Sequence, residues 1–115
     1  FDTAKSGDYF GALFQYVGAE GDVKDLTDVI AAVKENKTYV SVVSDIMSLV
    51  LLKSPADMGA DVALGSTQRF GIPMGFGGPH AAYFAFSDKA KRSAPGRRIK
   101  RCTRQYCITY GSTNA

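Results

Sequence analysis

Residues 10–43 read FGALFQYVGAEGDVKDLTDVIAAVKENKTYVSVV. The opening run, residues 10–17, is mainly apolar, rich in aromatics and bounded by Gly18 and Gly21, which are the length and limits of a buried strand. Leu26, Val29, Ile30 and Val33 then fall at i, i+3, i+4 and i+7, one face of an amphipathic helix. Asp22 or Asp25 suits its amino end as a cap, and Lys34 and Lys37 suit its carboxyl end, where the helix dipole favours positive charge. Residues 39–43, YVSVV, are β-branched or apolar on both parities and fit a strand covered on both faces. A strand, a helix and a strand within about 35 residues form a βαβ unit, whose crossover makes the two strands parallel.

Working outward, residues 46–52 predict a short helix that stops before Pro55, because a proline pushes the preceding Ser54 toward extended geometry. Residues 61–65 predict a short buried strand, and residues 80–86 another. Residues 1–9 mix Asp, Lys, Ser and Gly without a period and are expected to form a loop. The alternation predicts an α/β chain, a mostly parallel sheet with flanking helices. No internal repeat is present.

The 115 residues, 45% hydrophobic, suffice for one core. Cys102 and Cys107 lack metal-type spacing and read as two free thiols of a reducing compartment. The chain opens on Phe1, Asp2 and Lys5 without the basic and apolar segments of a signal peptide. Its longest apolar run is far short of the ~20 residues that span a membrane. Charge is divided unevenly: residues 1–87 hold ten acidic and six basic side chains, residues 88–115 one acidic and eight basic.

Four features can carry chemistry. Asp45 follows the strand at 39–43, where open α/β sheets place ligand groups; it can cap the next helix or pair with a cationic ring or a metal. Residues 65–80, GSTQRFGIPMGFGGPH, can turn backbone amides toward an anion, with Ser66, Thr67 and Arg69 adding polar contacts, or form a tight irregular hairpin between two strands. They lack the Lys-Ser or Lys-Thr of a Walker loop, and Ser66 lacks the GxSxG context of a hydrolase nucleophile. His80 is the one histidine, so a metal site is not expected around it. Residues 89–104 place eight positive side chains near Tyr106 and Tyr110, a pattern open to polyanion binding or to a solvated tail.

VSDIMSLVLL at 43–52, Gly59-Ala60-Asp61, and residues 65–80 continued by Ala81 and Ala82 together resemble the amino-terminal half of the glycine cleavage system P-protein family. KRSAPGR at 91–97 continues the likeness, which runs from about Phe10 to Arg97. The resemblance implies part of the large domain of a fold-type-I pyridoxal-phosphate-dependent transferase over residues 1–97, followed by a basic tail at 98–115 that departs from the family pattern.

The family decarboxylates glycine and passes the aminomethyl group to the lipoyl arm of the H protein. It contains two related halves, of which the carboxyl-terminal one holds the cofactor. The cofactor needs a lysine amine for its Schiff base. Matching the Phe70-to-Pro79 segment with the cofactor-bearing half implies that Gln68 stands at the lysine position, so no catalytic residue, bound cofactor or metal is expected on this chain. Arg69, Gly75, Gly77, Gly78 and His80 are the implied pocket or interface residues, and Asp45 is implied to be structural. The implied partners are the catalytic half and the lipoyl H protein, in a bacterial cytoplasm or a mitochondrial matrix; neither a membrane nor a nucleic acid is expected. The competing readings are a basic polyanion-binding module acting through residues 89–104 and a free-standing anion-binding α/β domain.

Overall fold

The computed structural model describes residues 2–71, 75, 81–90 and 106–109. In chain order its elements are α1 (Asp2–Ser6), β1 (Gly11–Gln15), α2 (Thr27–Glu35), β2 (Tyr39–Val43), β3 (Val62–Ser66), β4 (Ala82–Ser87) and β5 (Tyr106–Thr109). Single 3-10 turns lie at Ser48–Val50, Gln68–Phe70 and Asp88–Ala90.

The five strands form one sheet in the order β1-β2-β3-β4-β5. β1 and β2 are parallel with Gly11 opposite Tyr39 and Phe14 opposite Val42, and β3 continues parallel to β2 with Ala63 opposite Val42. β4 returns antiparallel, Gly65 facing Tyr83, and β5 is antiparallel to β4. Four strands therefore point one way and β4 runs against them. The α/β class and the βαβ unit follow the sequence pattern, and β3 and β4, the strands on either side of residues 67–81, pair antiparallel.

α2 covers β1 and β2. Val29, Ile30 and Val33, with Leu26 just ahead of the helix, pack on Phe14, Tyr16, Val40 and Val42, and Met58 and Ala60 close the cluster. Each such side chain contributes about 1.5–3 kcal/mol on burial, which outweighs the marginal propensity of a nine-residue helix. At its amino end the cap position falls on Leu26, not on an Asp. Asp25 sits one residue earlier and accepts the Thr27 N–H at 2.9 Å as well as the Thr27 hydroxyl. Those bonds hold its carboxyl below the usual value, side-chain bond first, with Lys53 adding a weaker pull. Asp22 instead pairs with Lys24 at 3.6 Å. At the carboxyl end Lys34 lies in the last turn as expected, but its amine turns to the Gly59 carbonyl at 2.8 Å and to Asp61 at 2.9 Å.

Two expectations are corrected. The opening residues are not a loop: α1 forms over Asp2–Ser6 and packs toward α2, with Ala4 against the core cluster. Five residues of this composition do not hold a helix by propensity, so the contact with α2 supplies what the local sequence lacks. Residues 46–52 form one 3-10 turn, Ser48–Val50, in place of a short α-helix. Leu49 and Leu52 pack against the core cluster while Val50 and Leu51 are exposed, so the buried stripe is too narrow to hold a longer helix.

The other expected strands shift by a residue or two. The strand read at 61–65 is Val62–Ser66, and the one read at 80–86 is Ala82–Ser87. β2 is covered on one face in place of the expected two: Val40 and Val42 are buried under α2, whereas on the opposite face Tyr39 is 54% exposed, beside Leu13 at 66% on β1. Among the described residues no helix is long and apolar enough to cross a membrane.

Candidate functional site at the carboxyl edge of the sheet

The carboxyl ends of β2 and β3 bring Ser44, Asp45 and the Gln68–Phe70 turn to one edge. Ser44 is fully buried and donates its N–H to the Leu64 carbonyl at 3.0 Å, locking the end of β2 against β3. The Tyr83 hydroxyl donates to the Ser44 carbonyl at 2.7 Å. Since the phenol has one proton, the Ser44 hydroxyl must be the donor in its own 2.7 Å contact with Tyr83 Oη. Gly65 lies between: a Cβ there would stand 2.0 Å from the Ser44 carbonyl oxygen and 2.8 Å from the Tyr83 ring.

Burial pushes the Tyr83 phenol above its usual 10.0; the Ser44 bond opposes this and the Asp45 charge adds to it. A folded-state pKa above the unfolded one means that this contribution is fully present below the unfolded value of about 10 and fades as pH rises through the folded value. Tyr83→Phe is expected to lower stability by about 1–3 kcal/mol at neutral pH, by orphaning the buried Ser44 hydroxyl. It should also flatten the alkaline fall. Urea midpoints of both proteins near pH 7 and about pH 11 test this, and parallel alkaline losses would count against the assignment.

Asp45 is engaged at both oxygens. Oδ1 accepts the Met47 N–H at 2.9 Å, and Oδ2 forms an ion pair with Arg69 Nε. Its backbone carbonyl takes the Ser48 N–H at 3.0 Å and the Ser48 hydroxyl at 2.7 Å. Asp45 thus braces the start of the next turn through the Met47 N–H, although the cap position itself falls on Met47, and the cation on its other oxygen is Arg69, a partner outside the sequence-based expectation. That residue stands in the turn Gln68–Phe70, which is itself anchored. Thr67 donates its N–H to the Ala81 carbonyl at 3.0 Å, Gln68 donates to Ser66 Oγ at 3.1 Å, and Phe70 to the Thr67 carbonyl at 3.1 Å. Gly71, at φ 98°, ends the turn in the left-handed region that favours glycine.

The expected pocket residues are thus partly located. Gln68 and Arg69 lie at the edge with Asp45. Gly75 is exposed, and a Cβ on it would meet nothing within 4 Å. Gly77, Gly78 and His80 lie outside the described residues, as do residues 91–105 of the basic segment. The described part of the proposed anion cradle has its groups committed elsewhere: Thr67 is buried, and Arg69 is spent on Asp45. The Arg69–Asp45 and Ser44–Tyr83 pairs escaped sequence reasoning, since nothing local marks partners that are 24 and 39 positions apart.

An apolar cleft of about 320 Å³ lies on the same sheet face as α2, lined by Ile46, Leu49, Pro55, Ala63, Tyr83 and Ala85 among others. It includes neither Asp45 nor Gln68.

Residues 1–105 match the family described as "Glycine cleavage system P-protein". The chain is 95% identical over 99 residues to a glycine dehydrogenase (decarboxylating) of Psychrobacter cryohalolentis, covering 86% of this chain and 10% of that protein. To the protein of the same name from Chromobacterium violaceum it is 69% identical over 98 residues, 85% of this chain and 10% of the relative. The chain therefore spans about 10% of the length of these relatives. A crystal structure of glycine decarboxylase (P-protein) of the glycine cleavage system, in inhibitor-bound form, superposes with TM-score 0.76 at 31% identity, covering 91% of this chain and 25% of that one. An aspartate aminotransferase of subgroup IV from Thermus thermophilus superposes with TM-score 0.63 at 22% identity over 84% of this chain and 27% of that one, a likeness of fold.

Proposed function

The chain belongs to the glycine cleavage system P-protein family, and from that premise we propose that it is a structural segment of a glycine dehydrogenase (decarboxylating) whose cofactor is held by another part of the protein. The parent decarboxylates glycine with pyridoxal phosphate and hands the aminomethyl group to the lipoyl H protein. This segment contributes three parallel strands and their helix to the cofactor-free half, and that half packs against the catalytic one. Residues 1–97 then form part of a large domain, and residues 98–115 a basic extension. The bacterial relatives favour the bacterial cytoplasm over the mitochondrial matrix.

One observation carries the reading: Gln68 stands at the sheet edge beside an Asp45–Arg69 ion pair. The residues present do not fit a covalently held pyridoxal phosphate. A carboxamide is not a usable nucleophile toward an aldehyde, and Asp45 already has a cation on one oxygen and an N–H on the other. Several described lysines are engaged with other groups. Lys34 holds Gly59 and Asp61, Lys53 donates to Thr27 at 3.1 Å, and Lys24 pairs with Asp22. This chain's residues accordingly hold a strand end and a turn in place; they move no proton to or from a substrate.

The test is to incubate the protein with pyridoxal phosphate, reduce with borohydride and map the peptides. No pyridoxyl adduct is expected on any lysine of residues 1–115. A stoichiometric adduct on one of them overturns the reading. The polyanion-binding alternative rests on residues 89–104, of which only Lys89 and Ala90 are described, and no structural observation favours it.

A further inference from the structure

We propose that Arg69 is a built-in counter-ion that fills, at Asp45, the place a cationic cofactor ring would take, so that this edge is closed to pyridoxal phosphate by charge as well as by the missing amine. The inference rests on the cofactor-free reading above and deepens it, because it assigns the closure to a particular side chain.

The chemistry is a substitution of one cation for another. A strand-end aspartate that supports a pyridine ring does so by accepting a hydrogen bond from the protonated ring nitrogen. Arg69 offers Asp45 the same thing, an N–H on a positive group. The remaining carboxylate oxygen is held by the Met47 N–H at 2.9 Å, which fixes the plane of the carboxyl. A ring arriving at Asp45 must therefore displace a permanent charge.

Both sides of the pair are held before they meet. Asp45 hangs from a strand end clamped by the Ser44 N–H to Leu64 and by the Tyr83 hydroxyl on the Ser44 carbonyl. Arg69 is carried by the turn anchored through Thr67, Gln68 and Phe70. Little backbone freedom is lost when the pair closes, which distinguishes it from two flexible side chains meeting in solvent. Arg69 is still 69% exposed, so the pair adds little to folding stability; what it sets is occupancy of the carboxylate.

The placement of Arg69 directly after Gln68 makes the proposal separable from the missing lysine. If the amine were the sole deficiency, Gln68→Lys would recover cofactor capture. If Arg69 also closes the edge, Gln68→Lys alone stays poor and Arg69→Ala must be added.

The experiment uses the full-length protein with Gln68→Lys, with Gln68→Lys/Arg69→Ala, and with Gln68→Lys/Arg69→Ala/Asp45→Asn. Each is incubated with pyridoxal phosphate and reduced with borohydride. The amine condenses with the aldehyde and releases one water; hydride then adds to the C=N carbon and a solvent proton to the nitrogen. Peptide mass spectrometry reads the pyridoxyl occupancy at position 68.

The double variant is expected to exceed Gln68→Lys several-fold, up to about fivefold, which is the scale an exposed ion pair supplies, and Asp45→Asn to return it to the low level. Equal occupancy in the single and double variants overturns the proposal. So does the absence of an adduct from both, or a gain that survives Asp45→Asn. An unchanged urea midpoint for Arg69→Ala shows that the comparison is made on folded protein. A pyridoxyl adduct on a native lysine of residues 1–115 would instead overturn the cofactor-free reading and leave the role of Arg69 to be decided by the variants.

Discussion

Gly65→Ala is expected to lower stability by about 3 kcal/mol or more, at or beyond the upper end of the usual cost of overpacking. The added methyl would stand 2.0 Å from the Ser44 carbonyl oxygen, which is backbone, and 2.8 Å from Cε1 of Tyr83. Neither can step aside freely. The Ser44 carbonyl accepts the Tyr83 hydroxyl, and the Ser44 N–H is bonded to Leu64 on the strand that carries Gly65 itself. Relief requires parting β2 from β3 at the point where Asp45 emerges. Gly75→Ala is the matched control. Nothing lies within 4 Å of a Cβ there, and a change within about 0.5 kcal/mol is expected. Urea midpoints for the pair decide the matter; similar values for both would show that β2 and β3 do not approach as closely as described.

Asp61→Ala is expected to cost about 2–4 kcal/mol, for reasons of hydrogen bonding more than of charge. The Asp61 side chain is 9% exposed and takes two partners, the Lys34 amine at 2.9 Å and the buried Val40 N–H at 3.0 Å. Lys34 is 37% exposed at its side chain and can return to water, so its loss of partner is tolerable. The Val40 amide has no such escape in the middle of the core, and an unsatisfied buried donor carries most of the expected cost. Asp61→Asn keeps an acceptor for that amide and should recover much of the loss, whereas Lys34→Met should cost less than Asp61→Ala. If Lys34→Met proves the more damaging, the ion pair and not the amide dominates.

The βαβ core was legible because its signal is periodic and local. Leu26, Val29, Ile30 and Val33 share one helical face, and YVSVV is the strand beneath it, although only its Val40 and Val42 face is buried. Asp45 was legible by position, at a strand end. What escaped depends on distant partners. α1 exists through its contact with α2, and no property of DTAKS announces that contact. The 46–52 run has helix-forming residues but no neighbour for Val50 and Leu51, so its apolar content misled. The ion pair of Arg69 and the hydrogen bonds of Tyr83 join residues brought together by the sheet, and a charged or phenolic side chain looks the same in sequence whether or not a partner waits for it.

The order of strands has a consequence for synthesis. Because β1 to β5 lie side by side in the order in which they are encoded, each strand emerging from the ribosome finds its partner already made and waiting at the growing edge. No strand has to be inserted between two others, and no early strand is held unpaired for a late one among those described. Assembly among these strands can thus proceed as accretion from the amino end, each pairing joining strands that are neighbours in sequence.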